Sequence, residues 1–239
     1  MELKNFTIFP IEVCGRLSPR ELYVLAGLYI NAHYVRDDEY MTTDTTFSQL
    51  SETTGVSVDY IKKSFVPKLK SLKDIGISVT SIQESYKVKR NIYKLPNPKS
   101  NYRIIWKELF SDKTLLPEEK GMMIGLYCLC VNNEFRIDLL DKTICEKLKI
   151  TRNTLKKYID LLIDKKIIWS SEDAPIALIS FNHDNARIIM YPHLGYATWL
   201  DKVNNYIPDE YDEETKHLEE ENKKEIEINQ KKVYNFFDE

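Results

Sequence analysis

An internal repeat is the feature of this sequence that most constrains its fold. Residues 5–12 align with 101–108, and residues 60–63 align with 154–157. Shorter matches lie between these segments, at 19–21 with 117–119, 27–29 with 125–127, 50–52 with 144–146 and 56–57 with 150–151. The offset stays between 94 and 98 residues throughout. Because chance rarely keeps a register over such a span, we interpret the chain as a tandem duplication.

The second repeat contains a predicted helix–turn–helix at residues 144–169. A short helix covers 144–148, the turn passes through Lys149 and Ile150, and a second helix begins at Thr151, whose hydroxyl suits an N-cap. One face of that helix is apolar, with Leu155, Ile159, Leu162 and Ile163 at helical spacing. The opposite face carries Arg152, Asn153, Lys156 and Lys157. This arrangement is typical of a helix that reads the major groove of DNA.

The first repeat has the same plan. Its first helix runs from Pro19 to about His33, a polar connection covers 35–46, and a second helix covers 47–54. A third helix begins at Ser57, with Val58, Asp59, Lys62 and Lys63 outward and Ile61, Phe65, Leu69 and Leu72 inward. Pro67 lies within this third helix, where we expect it to bend or end the helix. In the second repeat, Pro117 opens the first helix and the polar connection covers 132–141.

Each repeat ends in sequence with a period of two, which is typical of β-strands. The predicted strands cover 77–83 and 88–95 in the first repeat, and 176–181 and 186–191 in the second. Three helices followed by a β-hairpin form a winged helix. The sequence therefore predicts an α+β fold, mostly α, with two tandem winged-helix domains at 1–96 and 97–195. The prolines at 96 and 98 favour a stiff linker between them, and 196–239 forms an acidic extension, partly helical or flexible.

The charge is unevenly distributed along the chain. The formal net charge is −3, but residues 209–239 hold 12 Asp and Glu against 5 Lys, a net of −7 that leaves +4 for the remainder. A mildly basic body is compatible with nucleic-acid binding. The longest apolar run, 121–131, is too short to cross a bilayer, which needs about 20 residues. We expect no membrane association and a cytoplasmic protein.

Outward polar residues of the two third helices and of the two wings are the candidate DNA contacts. Arg152 and Asn153 are the best candidates for base reading, because Arg suits guanine and Asn suits adenine in the major groove. Lysines favour phosphates and give affinity without sequence choice. The candidates in the first repeat are Ser57, Tyr60, Lys62, Lys63, Lys87, Lys89 and Arg90. Those in the second are Thr151, Arg152, Asn153, Thr154, Lys156, Lys157, His183, Asn185 and Arg187.

Catalytic, metal-binding and cofactor-binding signals are weak in this sequence. It has no Gly-x-x-x-x-Gly-Lys-Ser/Thr loop, and its four histidines are scattered. The cysteines, at Cys14, Cys128, Cys130 and Cys145, lack zinc-ligand spacing, and we interpret Cys128 and Cys130 as core residues on a helix. We therefore expect a binding protein rather than an enzyme, with no metal and no cofactor.

The pattern resembles the winged-helix domains of plasmid and phage replication initiators. The residues that carry the resemblance are Phe6-Thr-Ile-Phe-Pro10, Leu17-Ser-Pro-Arg-Glu21, Gly27-Leu-Tyr29 and Leu50 with Thr54-Gly-Val-Ser57. The resemblance implies a replication initiation protein that binds double-stranded DNA, with each third helix in a major groove and each wing on neighbouring backbone. The acidic extension would then contact host replication proteins.

Two other functions fit the same sequence. A transcriptional regulator could use the same DNA-binding body, and winged helices can also serve as protein-interaction modules without DNA binding. As to oligomeric state, the sequence is compatible with a monomer and with a homodimer.

Overall fold

The computed structural model of the chain describes residues 6–33, 38–85, 88–130, 135–137, 139–170 and 187–189. Within these ranges, the side chains of 83–85, 88–89, 169–170 and 187–189 are not described. The described elements belong to one compact unit, Met1–Tyr196. The fold is α+β, about half helical, with small antiparallel sheets. The predicted strand at 176–181, its turn at 182–185 and the acidic extension at 196–239 lie outside the described residues.

The first half of the unit begins with a strand, and a run of helical segments separates its second strand from its last two. Its elements are β1 (Phe6–Pro10), a 3-10 turn (Ile11–Val13), α1 (Pro19–Ile30), β2 (Tyr40–Thr43), α2 (Phe47–Thr54), α3 (Val58–Tyr60), a π-helical turn (Ile61–Phe65), α4 (Val66–Leu69), a 3-10 segment (Lys70–Ile75), β3 (Ser78–Ser85) and β4 (Val88–Pro96). The segments between 58 and 75 follow one another directly.

The second half repeats this order. Its elements are β5 (Tyr102–Trp106), α5 (Glu108–Ser111), α6 (Pro117–Cys128), β6 (Arg136–Ile137), α7 (Asp141–Leu148), α8 (Arg152–Asp164), β7 (Ile168–Ser170) and β8 (Arg187–Ile189). Each half has its own three-stranded antiparallel sheet, with strand order β2-β4-β3 in the first and β6-β8-β7 in the second. The duplication seen in the sequence is therefore also a repeat of structure.

The core is centred on α1 and α6, which lie side by side. Residues 22–29 of α1 and 119–128 of α6 are all buried. Gly121 lies against the backbone of Pro19, and Gly125 lies against Leu22, so the two helices run in the same direction. No helix among the described residues is long and apolar enough to cross a membrane.

A two-stranded antiparallel sheet joins the halves, because β1 pairs with β5. The sequence analysis did not predict this pairing, since pairing between strands about 100 residues apart leaves no local signal. The expected stiff linker takes a different form: Pro96 ends β4, and the amide N–H of buried Asn97 donates to the carbonyl of Glu39 at 2.8 Å. The halves share one core instead of standing apart.

Matched side chains cap the ends of α1 and α6. The hydroxyl of Thr7 on β1 donates to the carbonyl of Tyr29 at 3.1 Å. At the matching position of β5, the Nε of buried Arg103 donates to the carbonyl of Tyr127 at 2.9 Å, and its Nη2 donates to the carbonyl of Cys130. A cation at a helix C-terminus also opposes the negative end of the helix dipole.

Several predicted boundaries were wrong. The polar connections 35–46 and 132–141 contain strands β2 and β6, each too short to show alternation. The first helix ends at Ile30 instead of His33, and Cys130 lies two residues beyond the end of α6. Within the stretch 144–169, α8 ends at Asp164 and the last residues belong to β7.

Pro67 neither ends nor visibly breaks the third helix of the first half. Proline lacks an amide N–H and its ring displaces the carbonyl four residues earlier, which normally disrupts an α-helix. Here a π-helical turn precedes it, with the Val66 amide N–H donating to the carbonyl of Ile61, five residues back. The wider turn accommodates the proline, and the helical path continues through Leu69.

Candidate nucleic-acid interface

The turn between α7 and α8 is closed by backbone and side-chain hydrogen bonds. Lys149 adopts a left-handed conformation with φ of 52°, and the Ile150 amide N–H donates to the carbonyl of Cys145 at 3.1 Å. The Thr151 hydroxyl then accepts from the amide N–H of Thr154 at 3.1 Å and caps α8. This confirms the predicted N-cap. The start of α8 is held in place by the turn before it.

The turn between α2 and α3 has the same geometry at positions 94 residues earlier. Gly55 is left-handed, with φ of 68°, and its amide N–H donates to the carbonyl of Ser51 at 2.7 Å. The Ser57 hydroxyl accepts from the amide N–H of Tyr60 at 3.4 Å. Lys149 therefore takes the left-handed role that glycine fills in the first half, at a position where a side chain is strained.

The outward faces of the two helices are exposed as predicted. In the second half, Thr151, Arg152, Asn153, Lys156 and Lys157 are exposed and Thr154 is half-buried. In the first half, Ser57, Lys62 and Lys63 are exposed and Tyr60 is half-buried. Buried Leu155, Ile159 and Leu162 anchor α8, and buried Ile61, Phe65 and Leu69 anchor the helical path of the first half. The polar face is therefore available to a ligand in both halves.

The electrostatics of the two faces differ. Residues 151–157 carry three basic side chains and no acidic one, whereas 57–63 carry Asp59 beside Lys62 and Lys63. The Nζ of Lys63 lies 3.4 Å from the carboxylate of Asp59, and both side chains are more than 70% exposed. An exposed pair of this kind contributes little to stability. It does reduce the positive charge that the first face presents to a polyanion.

Arg20, at the start of α1, lies beside the third helix of the first half. Its guanidinium is 4.9 Å from the ring centroid of Tyr60 and pairs with the carboxylate of Glu118 on α6. Burial and the Glu119 carboxylate raise the pKa of Tyr158 on α8, and the positive charge of Arg20 offsets part of this increase. One arginine therefore contacts or influences a tyrosine of each helix.

Sequence reasoning did not connect Arg20 with this region, and it placed Lys149 in the turn without predicting its left-handed conformation. The internal alignment was the signal that could have found both. At an offset of 98, Arg20 corresponds to Glu118, its ion-pair partner, and at an offset of 94, Lys149 corresponds to Gly55.

The predicted wings are only partly described. Arg90 lies on β4, is exposed, and its Nη1 donates to the carboxylate of Asp44 at 2.8 Å. The backbones of Lys89 and Arg187 lie in β4 and β8, but their side chains are outside the described residues. Lys87, His183 and Asn185 lie outside them entirely. The described part of the candidate interface therefore consists of the two turn–helix elements and the base of the first predicted wing.

Comparison of the chain with protein-family models, with curated proteins and with solved structures gives no match. Within the described ranges, no three His, Cys, Asp or Glu side chains gather as metal ligands would. Among the described residues, the two turn–helix elements are the features that bear most directly on function.

Proposed function

We propose that this chain binds double-stranded DNA in a sequence-specific manner through two winged-helix units, residues 1–96 and 97–195. One observation carries the proposal: each half presents a capped turn–helix element with buried apolar anchors and exposed basic side chains on its outward face. The order of elements within each half, with antiparallel strands after the third helix, supports the winged-helix proposal.

The two units have different roles in this proposal. Arg152 and Asn153 lie exposed in the first turn of α8, which is the part of a recognition helix that reaches base edges. Lys156 and Lys157 lie one turn further along, where they would bind phosphates. In the first unit, Asp59 stands at the helix start in place of Asn153, and its carboxylate would repel a phosphate. Lys62 and Lys63 are therefore the residues of this face that would bind phosphates. The second unit therefore selects the sequence and the first holds the backbone.

The biological role that we propose is replication initiation for a plasmid, phage or other mobile element. The resemblance of 6–10, 17–21 and 50–57 to initiator domains supports this role. The acidic extension would recruit host replication proteins, since its net charge of −7 suits a basic partner better than DNA. The protein acts here as a binder and not as an enzyme.

A titration of fluorescent duplex DNA tests the DNA-binding proposal. The duplexes are a random sequence and one from the protein's own locus, each at low and moderate salt. Wild type should prefer its own locus, and Arg152→Ala/Asn153→Ala should lose that preference while keeping most of its affinity for the random duplex. Each lost base contact corresponds to about 1–3 kcal/mol of discrimination.

Lys99→Ala/Lys107→Ala is the matched control, because it removes two exposed charges elsewhere. Lys107 borders the groove at Ile30 and Asn31, at the opposite end of α1 from Arg20. Lys99 follows Pro96, whose carbonyl accepts from the hydroxyl of Tyr29 near that same end. This variant should bind like wild type. If wild type binds neither duplex at low salt, the DNA-binding proposal fails.

A further inference from the structure

Two cysteine side chains from distant parts of the chain meet at the end of α6. Cys14 follows the 3-10 turn after β1 in the first half, and Cys128 is the last residue of α6 in the second half. Their thiols form a hydrogen bond with each other. A contact between two thiols is the arrangement from which a disulfide can form without refolding of the chain.

The backbones on both sides of this contact are held by hydrogen bonds. The strand β5, which pairs with β1, carries Arg103, and its Nε donates to the carbonyl of Tyr127, next to Cys128, at 2.9 Å. On the other side, the Cys14 amide N–H donates to the carbonyl of Ile11 at 3.0 Å and closes the 3-10 turn. The contact between the thiols therefore follows from the pairing of the two lead-in strands.

The two thiols differ in exposure. Cys14 is half-buried, whereas Cys128 is only 3% exposed. The hydrogen bond with Cys14 and burial raise the pKa of Cys128 well above its usual value. Because a hydrogen bond that raises the pKa of an acid stabilises the protonated form, the S–H of Cys128 is the donor and the sulfur of Cys14 is the acceptor. A dissolved oxidant therefore reaches Cys14 first, and Cys128 lies behind it as a second thiol.

The other two cysteines make different contacts. The Sγ of buried Cys130 donates to the carbonyl of Leu126 at 3.7 Å. Cys145 is half-buried on α7, and its carbonyl accepts from the Ile150 amide N–H in the turn before α8. Over the described part of the chain, His, Cys, Asp and Glu side chains form no group of three that could hold a metal ion, and a structural zinc site needs more ligands than two thiols. The contact suits a disulfide better than a metal.

We propose that Cys14 and Cys128 are a redox-sensitive pair that hydrogen peroxide converts into a reversible disulfide. The Cys14 sulfur attacks one peroxide oxygen, the O–O bond breaks, and Cys14 becomes a sulfenic acid while one water is released. The Cys128 sulfur then attacks the Cys14 sulfur, so that the S–S bond forms and the S–O bond breaks. The hydroxyl group leaves with the Cys128 proton as a second water. The two thiols lose two electrons, which the peroxide gains, and a dithiol reductant reverses the change.

The crosslink acts next to the second turn–helix element. A Cβ at Gly15, the neighbour of Cys14, would overlap the carbonyl oxygen of Lys147, so this backbone already touches the last turn of α7. The S–S bond shortens the distance between the sulfur atoms to about 2.05 Å, which displaces Cys14, Cys128 or both. Because Gly15 has no gap to α7, a displacement of Cys14 reaches the turn that positions α8. Oxidation should therefore weaken DNA binding, a consequence that rests on the proposed function.

Mass spectrometry of the full chain after peroxide treatment tests the crosslink. The intact product should be about 2 Da lighter than the reduced chain, and dithiothreitol should restore the original mass. After the remaining thiols are alkylated, the linked tryptic peptides should be 5–16 and 121–136, and fragmentation distinguishes Cys128 from Cys130. Cys14→Ser should give no link, whereas Cys145→Ser, the control at the other half-buried cysteine, should give it as wild type does. A link between other cysteines, or oxygen added to Cys14 without a link, overturns the inference.

Fluorescence titration with the duplex from the protein's own locus tests the consequence for DNA binding. Oxidised wild type should bind severalfold more weakly than reduced wild type, and Cys14→Ser should bind equally before and after peroxide. The same variant controls for methionine oxidation, which peroxide also causes. Unchanged affinity of the crosslinked protein overturns the regulation of DNA binding. If the reduced protein binds no duplex, the proposed function fails, and the peptide map alone decides whether the redox pair exists.

Discussion

The first and second halves of this molecule share a scaffold but differ in the surface that it displays. At the turn before the third helix, each half has a left-handed residue and a hydroxyl N-cap, at Gly55 and Ser57 in one and Lys149 and Thr151 in the other. Beyond that turn the halves diverge. The first follows a π-helical turn into Pro67, whereas α8 is a regular helix of 13 residues.

The difference separates residues that maintain the duplicated scaffold from residues that are free to specialise. The capping and buried positions keep the same role in both halves because both halves depend on the same caps and the same packing. The exposed positions have diverged in charge, from Asp59 to Asn153, with no structural penalty visible in the turn. Substitutions at matched positions therefore test whether the halves are equivalent in stability and different in function.

The largest expected effect is at the contact between α1 and α6. A Cβ at Gly121 would overlap the carbonyl oxygen of Pro19, whereas a Cβ at Gly125 would make an ordinary contact, 3.4 Å from a methyl of Leu148. We expect Gly121→Ala to destabilise the fold by about 3 kcal/mol or more, because a backbone atom cannot move aside cheaply. Gly125→Ala should change stability by less than about 1 kcal/mol and could gain from helix propensity. Urea denaturation of both variants measures the difference, and equal effects would contradict the close approach at Gly121.

The next largest effect concerns the caps of α1 and α6. Arg103→Met should remove two charge-assisted hydrogen bonds, to the carbonyls of Tyr127 and Cys130, at a cost of about 2–3 kcal/mol. Thr7→Val removes one neutral bond to Tyr29 and should cost about 1 kcal/mol. Thermal denaturation monitored by circular dichroism compares them. A larger loss for Thr7→Val would mean that the two caps do not support their helices in the way that their geometry indicates.

The sequence predicts local features of this fold well and pairing between distant segments poorly. The bounds of α2, the start of the third helix at Ser57, the N-cap at Thr151 and the hairpin β3–β4 follow from propensity and spacing of nearby residues. The pairing of β1 with β5 is not predictable in that way, because its partners are about 100 residues apart. Strands β2 and β6 were missed because two to four residues are too few to show a period of two.

The candidate site was predicted from the same local signals, and its limits have the same origin. Helical spacing correctly placed Arg152, Asn153, Lys62 and Lys63 on exposed faces. It could not show that Arg20 lies beside Tyr60, since that contact depends on how α1 packs against the third helix. The contact between the two halves through β1 and β5 was likewise not predictable from local signals, because it pairs distant segments of the chain.

A smaller effect is expected at the helix N-caps. Thr151→Ala should destabilise the fold by about 1 kcal/mol, because it removes the acceptor for the Thr154 amide N–H. Ser57→Ala should cost less, about 0.5 kcal/mol, since its bond to the Tyr60 amide is longer at 3.4 Å against 3.1 Å. Urea midpoints measured at constant m-value test the ranking. A reversed ranking would mean that the third helix of the first half depends on its cap more than α8 does, despite the longer bond.

The smallest effect addresses the difference in charge between the two faces. Asp59→Asn removes a carboxylate that lies 3.4 Å from Lys63 and would repel phosphate. A unit charge about 8 Å from a phosphate in water contributes about 0.5 kcal/mol, so the variant should bind duplex DNA two- to threefold more tightly. The reciprocal change, Asn153→Asp, should weaken binding, and the two together should make the halves exchange their charge character. Fluorescence titration at low salt measures both, since screening at higher salt would hide the smaller change. If Asp59→Asn leaves affinity unchanged while Asn153→Asp lowers it, the first half does not contact the DNA backbone at this position, and the second unit alone would account for binding there.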